Sequence, residues 1–286
     1  MPRRFSIVIP TANRERYLEP ALLDLDAQEF PPDEYEIVVV DDAEEPTSRE
    51  VVERVGTGAR TRIRYERREG PRGINASRNT GIRRSSGEVV AFVDDDCRFA
   101  PGWLAALARG VELAPRAECF GGPIRACLEP GHPRSCGRDD FPITVLDHGP
   151  SDRYVDLVFG ANFSVRRSAF DRIGLFNQDA RLYGEEVDWI LRLRRRDGLV
   201  RYVAGAGVEH VRLARDVTVK RMLRGALTKG ANVARFDAAQ GIVDPPAAVF
   251  RRAIRLSAHA LVFRCWSAAT HALQAYVYAY HAARAR

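Results

Sequence analysis

Three short apolar runs, each ending abruptly in polar residues, constrain this chain more than any other feature. Phe5-Ser6-Ile7-Val8-Ile9 stops at Pro10-Thr11, Glu36-Ile37-Val38-Val39-Val40 at Asp41-Asp42, and Val89-Val90-Ala91-Phe92-Val93 at Asp94-Asp95-Asp96. Runs this short and this rich in β-branched residues read as buried strands, and residues 62–67 read as another. Between them the apolar spacing is helical. Tyr17, Leu18, Ala21, Leu22 and Leu25 share a face over residues 14–28, and further helices are expected over 48–55 and 75–85. Continuous apolar strands alternating with helices imply an α/β fold with a mostly parallel central sheet covered on both faces. Ligands of such sheets bind beyond the carboxyl ends of the strands, which is where Thr11, Asp42, Asp94 and Asp96 fall.

The rest of the chain divides by pattern. Residues 99–215 carry a helix near 102–113, strands near 119–124 and 155–165, a helix over 185–196, and a strand over 201–208 ending at Glu209-His210. From about Val217 the pattern is helical, with a break at Asp244-Pro245-Pro246. We therefore expect a ligand-binding half over 1–98, a second half of the same domain over 99–215, and a helical extension over 216–286. With 286 residues, 45% of them hydrophobic, the chain can build a substantial core.

Charge and cysteine content narrow the function classes. The net charge of +6 suits anionic ligands, but the basic residues are interspersed with acidic ones and no nucleic-acid-binding motif is present, so no nucleic-acid partner is expected. The apolar run at the N-terminus is too short for a signal peptide, and no stretch approaches ~20 apolar residues. Five cysteines without such a signal fit reduced thiols in the cytoplasm. Cys119, Cys127, His132 and Cys136 cluster along the chain, but their spacing matches no compact zinc pattern, and unrelated thiols are the preferred reading.

Asp94-Asp95-Asp96 is the strongest chemical signal. Three adjacent carboxylates repel one another unless a cation neutralises them. Alternate residues at a strand end point the same way, so Asp94 and Asp96 can converge on one ion while Asp95 turns aside. A hard cation such as Mg²⁺ or Mn²⁺ takes oxygen ligands of this kind together with phosphate oxygens.

Seven segments, SIVIPTANRERYL, YEIVVVDD, GINASRNTGI, VVAFVDDDCRFAPGWL, GANFSVRRSAF, YGEEVDWILRLRR and GVEH, resemble in order and spacing the family 2 glycosyltransferases of the GT-A fold. The resemblance runs from about Phe5 to Gly241 and implies an inverting, metal-dependent transfer of a sugar from a nucleotide diphosphate to an acceptor hydroxyl. It implies a UDP-sugar as the favoured donor class, with dTDP- and GDP-sugars open and the acceptor unknown. By the same resemblance Thr11 and Asp42 would contact the nucleobase or ribose, with Asn13, Arg14 and Asp41 nearby. Asn75 to Asn79, Arg78 among them, would line the base pocket. Asp94 would face ribose and metal, with Asp95 beside it, Asp96 would ligate the metal, and His210 would complete its coordination. Gly160-Ala161-Asn162 would sit at the acceptor side. The family places its catalytic base at the second member of an acidic pair on the later helix. That position is Glu186 here, with Asp188 two residues on as the competing candidate.

Two positions depart from the family pattern. Ala43-Glu44-Glu45 replaces a Gly-Ser after the second-strand aspartates, and the acidic pair reads Glu185-Glu186 instead of Glu-Asp. A sugar-1-phosphate nucleotidyltransferase would also show strand-end carboxylates, but it needs a Gly-rich, Lys-bearing phosphate loop after the first strand, and PTANRER has neither residue. A non-catalytic nucleotide-sugar-binding protein of the same fold is the other alternative.

The C-terminal segment has an apolar stripe at helical spacing, Phe250, Ile254, Leu261, Cys265, Leu273, Tyr276 and Tyr280, with six arginines interleaved or flanking. Packing on the catalytic domain or on a second subunit as a homo-oligomer is the expectation, and peripheral contact with an anionic membrane the alternative.

Overall fold

The computed structural model describes residues 3–130, 144–178, 185–241 and 244–284. In chain order the first elements are β1 (Phe5–Thr11), α1 (Glu15–Asp26), β2 (Tyr35–Asp41), α2 (Arg49–Gly56), β3 (Arg62–Arg67), α3 (Ile74–Arg84), β4 (Val89–Val93) and β5 (Cys97–Phe99). There follow α4 (Trp103–Leu113), β6 (Ala117–Gly121), β7 (Ile124–Leu128), β8 (Arg153–Val155), β9 (Asn162–Arg166), α5 (Arg167–Ile173) and α6 (Glu185–Arg194). The chain closes with β10 (Leu199–Tyr202), β11 (Val208–Arg212), α7 (Val219–Gln240), α8 (Pro246–Phe263) and α9 (Trp266–Arg284).

Eight strands form one sheet in the order β3-β2-β1-β4-β9-β6-β10-β8. The first four are mutually parallel, so β1, β2 and β4 all end on one edge. β9 is antiparallel to both β4 and β6, and this pairing joins residues 1–98 to residues 99–215 in a single sheet. Both faces are covered, as the strand composition requires. Ile7, Ile9, Ile37, Val39, Ala91 and Val93 pack on one side with Leu18, Leu22 and Leu25 of α1 and Trp103, Leu104 and Leu107 of α4. Val8, Val38, Val40, Val90 and Phe92 pack on the other with Phe170 of α5 and Trp189, Ile190 and Leu193 of α6. Period-two alternation divides each strand between these two cores. A second, three-stranded sheet has the order β5-β11-β7.

The described residues form two compact units, one of residues 3–125, 144–178 and 185–210, the other of residues 126–130, 211–241 and 244–284. In the second unit α9 packs against both α7 and α8. Tyr278 of α9 donates to Asp237 of α7 at 2.8 Å and accepts from the Asp244 amide at 3.2 Å.

Three expectations need correction. The apolar stretch 155–165 is not one strand: β8 ends at Val155, a loop carries Val158 fully into the core, and β9 begins at Asn162. An apolar run is buried whether or not it is paired, so composition alone cannot separate the two cases. The strand expected over 201–208 is also two. β10 ends at Tyr202, a turn closes through Ala206 N–H donating to the Val203 carbonyl at 3.1 Å, and β11 starts at Val208. His210 therefore lies inside β11 and not after a strand. The C-terminal segment has a second break, at Arg264-Cys265, with Arg264 in the left-handed region at φ 49°. Among the expected thiol and imidazole cluster, Cys119 is buried and Cys127 exposed, while His132 and Cys136 lie outside the described residues.

Gly81 lets α3 lie against β1, because a Cβ there would stand 2.3 Å from Val8 Cγ1. An alanine in a helix interior is ordinarily better than glycine by about 0.5–1 kcal/mol. Here overpacking reverses the sign, and Gly81→Ala is expected to cost about 1–3 kcal/mol, read as a lower Tm in thermal unfolding. A Tm equal to or above that of the parent protein would show that α3 does not depend on this close approach.

Candidate active site

Parallel pairing of β1, β2 and β4 brings three strand ends to one edge of the sheet, and the polar residues that follow them meet there. Thr11 donates its hydroxyl proton to Asp95 Oδ2 at 2.7 Å. Arg14, just past β1, holds Asp95 through Nε at 3.3 Å and pairs with Asp96 through Nη2. Its guanidinium also lies over the Tyr17 ring, 4.7 Å from the centroid. Asn13 turns the chain between Thr11 and Arg14 in the left-handed region, at φ 56°.

Asp96 is buried, and the short strand β5 begins at the next residue. β5 pairs antiparallel with β11 so that His210 stands opposite Cys97. That register places His210 Nε2 3.0 Å from Asp96 Oδ1, with Nδ1 at 3.2 Å from the Thr144 carbonyl. Asp94, Asp96 and His210 each offer a ligand atom, all within 4.8 Å of one another. Two carboxylates and an imidazole at that separation suit a hard divalent cation. The electrostatics agree. Desolvation, and next the neighbouring Asp96, push the Asp94 carboxyl up, against His210 and Arg78. Burial pushes Asp95 up to about 7 even though Arg14 opposes it. Negative charge is crowded at this edge, and a bound cation would relieve it.

Glu186, near the start of α6, belongs to the same neighbourhood, since its charge acts on Asp94. Its carboxylate accepts from the Gly160 amide at 3.1 Å and lies 3.5 Å from Arg78 Nη1. Gly160 is required at this point, because a Cβ there would stand 2.4 Å from Arg78 Nη2 and 3.1 Å from Glu186 Oε2. Arg78 is itself buried, its guanidinium 5.3 Å from the Phe163 centroid and 5.7 Å from that of Phe176. The sequence pointed to Arg78 as a pocket residue and did not reveal that its closest charged partner is Glu186.

Asp188 is placed differently. Two helical residues on is about 200° round the axis from Glu186. There Asp188 accepts from Arg192 Nε at 3.1 Å, and Arg192 also donates to the Ile173 and Leu175 carbonyls.

Several of the other expected residues are engaged in holding the edge together. Asp41 accepts from the Ala43 amide at 2.9 Å and the Tyr65 hydroxyl at 3.0 Å. Asp42 pairs with Arg68 and accepts from the Gly73 amide at 3.1 Å. Asn75 donates to the Asn177 carbonyl at 2.6 Å, and Asn79 clamps the Phe176 backbone at both amide and carbonyl. Asn162 donates to the Ala206 carbonyl at 2.7 Å and receives the Trp103 indole N–H at 3.3 Å. Residues that the sequence did not single out, Thr144 and Gly73, complete the arrangement through backbone groups, which leave no signal in side-chain pattern.

Comparison with known proteins bears on the family and the fold. The profile of the family described as Glycosyl transferase family 2 matches residues 6–174. The chain is 28% identical over 189 residues to glycosyltransferase AglE of Haloferax volcanii, covering 65% of this chain and 60% of that one. It is 34% identical over 108 residues to the GalNAc(5)-diNAcBac-PP-undecaprenol beta-1,3-glucosyltransferase of Campylobacter jejuni, covering 37% and 34%. The matches thus span less than two thirds of the length of these curated relatives. Among solved structures, the mannosyltransferase PcManGT from Pyrobaculum calidifontis, in complex with GDP-Man and Mn²⁺, superposes with a TM-score of 0.60 at 17% identity, covering 100% of this chain and 75% of that one. GalNAc-T7 with UDP, GalNAc and Mn²⁺ gives a TM-score of 0.61 at 17% identity, covering 84% and 51%. Family profile and fold agree, and the chain belongs to glycosyl transferase family 2, in its GT-A fold.

Proposed function

We propose that this protein is an inverting, metal-dependent glycosyltransferase that moves a sugar from a nucleotide diphosphate to an acceptor hydroxyl. The observation that carries the reading is the convergence of Asp94, Asp96 and His210 within 4.8 Å, with Glu186 in their electrostatic neighbourhood. Mg²⁺ or Mn²⁺ held by these three residues would neutralise the charge that develops on the leaving diphosphate. A UDP-sugar is the favoured donor class, on the family resemblance and on the neighbour that binds UDP, while the GDP-Man complex keeps GDP-sugars open. A cytoplasmic site of action is part of the proposal.

The chain's own residues supply the rest of the chemistry. Inversion in a single displacement needs a carboxylate that takes the proton from the acceptor hydroxyl as its oxygen attacks the anomeric carbon, while the bond from that carbon to the diphosphate oxygen breaks. Glu186 is the group for this role. Its orientation is held by the Gly160 amide and by Arg78. Asp188, tied to Arg192 on another side of the helix, is a weaker candidate. Thr11 and Arg14 hold Asp95 in place beside the two metal-facing aspartates, and Asp42 with Asn75 would border the nucleoside.

Two measurements test the reading. Asp96→Ala should abolish Mn²⁺ binding, followed by electron paramagnetic resonance of free Mn²⁺, and should remove metal-dependent nucleotide binding. Unaltered Mn²⁺ affinity would rule out the assigned site. Glu186→Gln should keep donor affinity and lose about 10²–10⁴-fold in kcat once a donor is found in a nucleotide-sugar screen. Asp188→Asn should lose far less. An active Glu186→Gln beside an inactive Asp188→Asn would transfer the role of base to Asp188.

A further inference from the structure

Residues 246–286 contain six arginines and neither aspartate nor glutamate, in a chain that otherwise mixes both signs. They form α8 and α9, joined by the tight turn at Arg264-Cys265. The apolar side chains around this turn are not packed away. Leu261 is 82% exposed and Val262 73%, and Phe263 and Trp266 on either side of the turn are also exposed. Further back on α8, Phe250 and Ile254 are each half exposed. At about 100° per residue, Phe250, Ile254 and Leu261 fall within about 40° of one another round the helix axis. Arg251 and Arg255 fall on the adjoining flank, and both are exposed, as are Arg252 and Arg264.

An apolar ridge beside a row of arginines, ending at a turn of leucine, valine, phenylalanine and tryptophan, costs free energy in water and has a specific counterpart. Among the described residues no helix is long and apolar enough to cross a membrane, so this hairpin cannot span one. It has instead the composition of a helix lying in the interface plane, with apolar side chains reaching the acyl boundary and arginines at the headgroups. Tryptophan at the turn fits the same depth, since its ring prefers the headgroup level. A second copy of the chain is a poorer occupant. A two-fold contact is self-complementary, so it would bring the arginine row against itself, and this segment has no carboxylate to pair with it.

We propose that the α8–α9 hairpin docks on an anionic lipid bilayer, inserting Leu261, Val262, Phe263 and Trp266 while Arg251, Arg255 and Arg264 meet the lipid headgroups. This surface stands independently of the sugar-transfer reading, because none of its residues belongs to the carboxylate site. The stripe expected to be a packing surface is therefore divided. Cys265 is buried and Tyr276 meets Phe250 edge-on at 5.4 Å, whereas Leu261 faces outward.

The test uses the full chain in flotation with vesicles of phosphatidylcholine, with and without phosphatidylglycerol, at low and high salt. Binding should require phosphatidylglycerol and weaken with salt. Each arginine near an anionic surface contributes roughly fivefold in affinity, so replacing these three with glutamine should weaken binding on the order of 10²-fold. Leu261→Ser with Val262→Ser should release the protein from the same vesicles without lowering Tm, because those two side chains are largely exposed. No flotation of the parent chain overturns the proposal, as does flotation that is indifferent to lipid charge and to the arginines. A dimer in light scattering that the serine variant dissociates, with no vesicle binding, would assign the face to a second copy.

Discussion

Three consecutive carboxylates at the end of a fully buried strand are the constraint around which this molecule is arranged. Asp94, Asp95 and Asp96 follow directly on β4, whose five residues are all buried, so their charge cannot be dispersed by moving the backbone into solvent. Each is stabilised differently. Asp95 takes the Thr11 hydroxyl and the Arg14 guanidinium, Asp96 pairs with Arg14 and has His210 Nε2 3.0 Å away, and Asp94 feels His210 and Arg78 from further away. Burial raises the proton affinity of Asp94 and Asp95 in spite of these partners. A divalent cation bound here would do alone what several distant cationic side chains do only in part.

The opposite wall is built on a second constraint, a buried arginine. Arg78 leaves water to lie between Phe163, Phe176 and Glu186. An unpaired buried guanidinium would be strongly unfavourable, so Arg78 and Glu186 hold each other in position. The rings beside them are part of a larger aromatic cluster. Phe92 stacks on Phe163 at 4.8 Å and meets Phe176 edge-on at 5.4 Å, and Phe176 in turn packs against Trp189 at 5.9 Å. Because Phe92 is on β4 and Trp189 on α6, this core couples the strand that carries the aspartates to the helix that carries Glu186.

Much of this was legible before any coordinates. Strands β1 to β4, helices α1 to α4 and the edge at which their polar residues gather follow from uninterrupted apolar runs and helical spacing, both of which are local properties. The aspartates were legible because three adjacent carboxylates at a strand end have few structural uses. What was not legible depends on pairing between distant segments. The three-residue strand β5 has no period of its own, and it exists because β11 pairs with it. The loop before β9 is as apolar as a strand, yet it packs instead of pairing, and it carries Gly160 against Glu186 and Arg78.

The sequence by itself therefore determined the α/β class, the polar edge and the identity of the carboxylates, since burial period and charge crowding are written residue by residue. Tertiary structure decided which residues act together. Antiparallel pairing of β5 and β11 set His210 against Asp96, a distance of 3.0 Å across more than a hundred residues of chain. Helix geometry and the ion pair to Arg192 separated Asp188 from Glu186. Packing also decided which part of the C-terminal stripe is covered, leaving Leu261 and Val262 outside while Cys265 is buried. Helical spacing puts these side chains on a common face, but whether that face meets protein or solvent depends on neighbours that only the folded chain supplies.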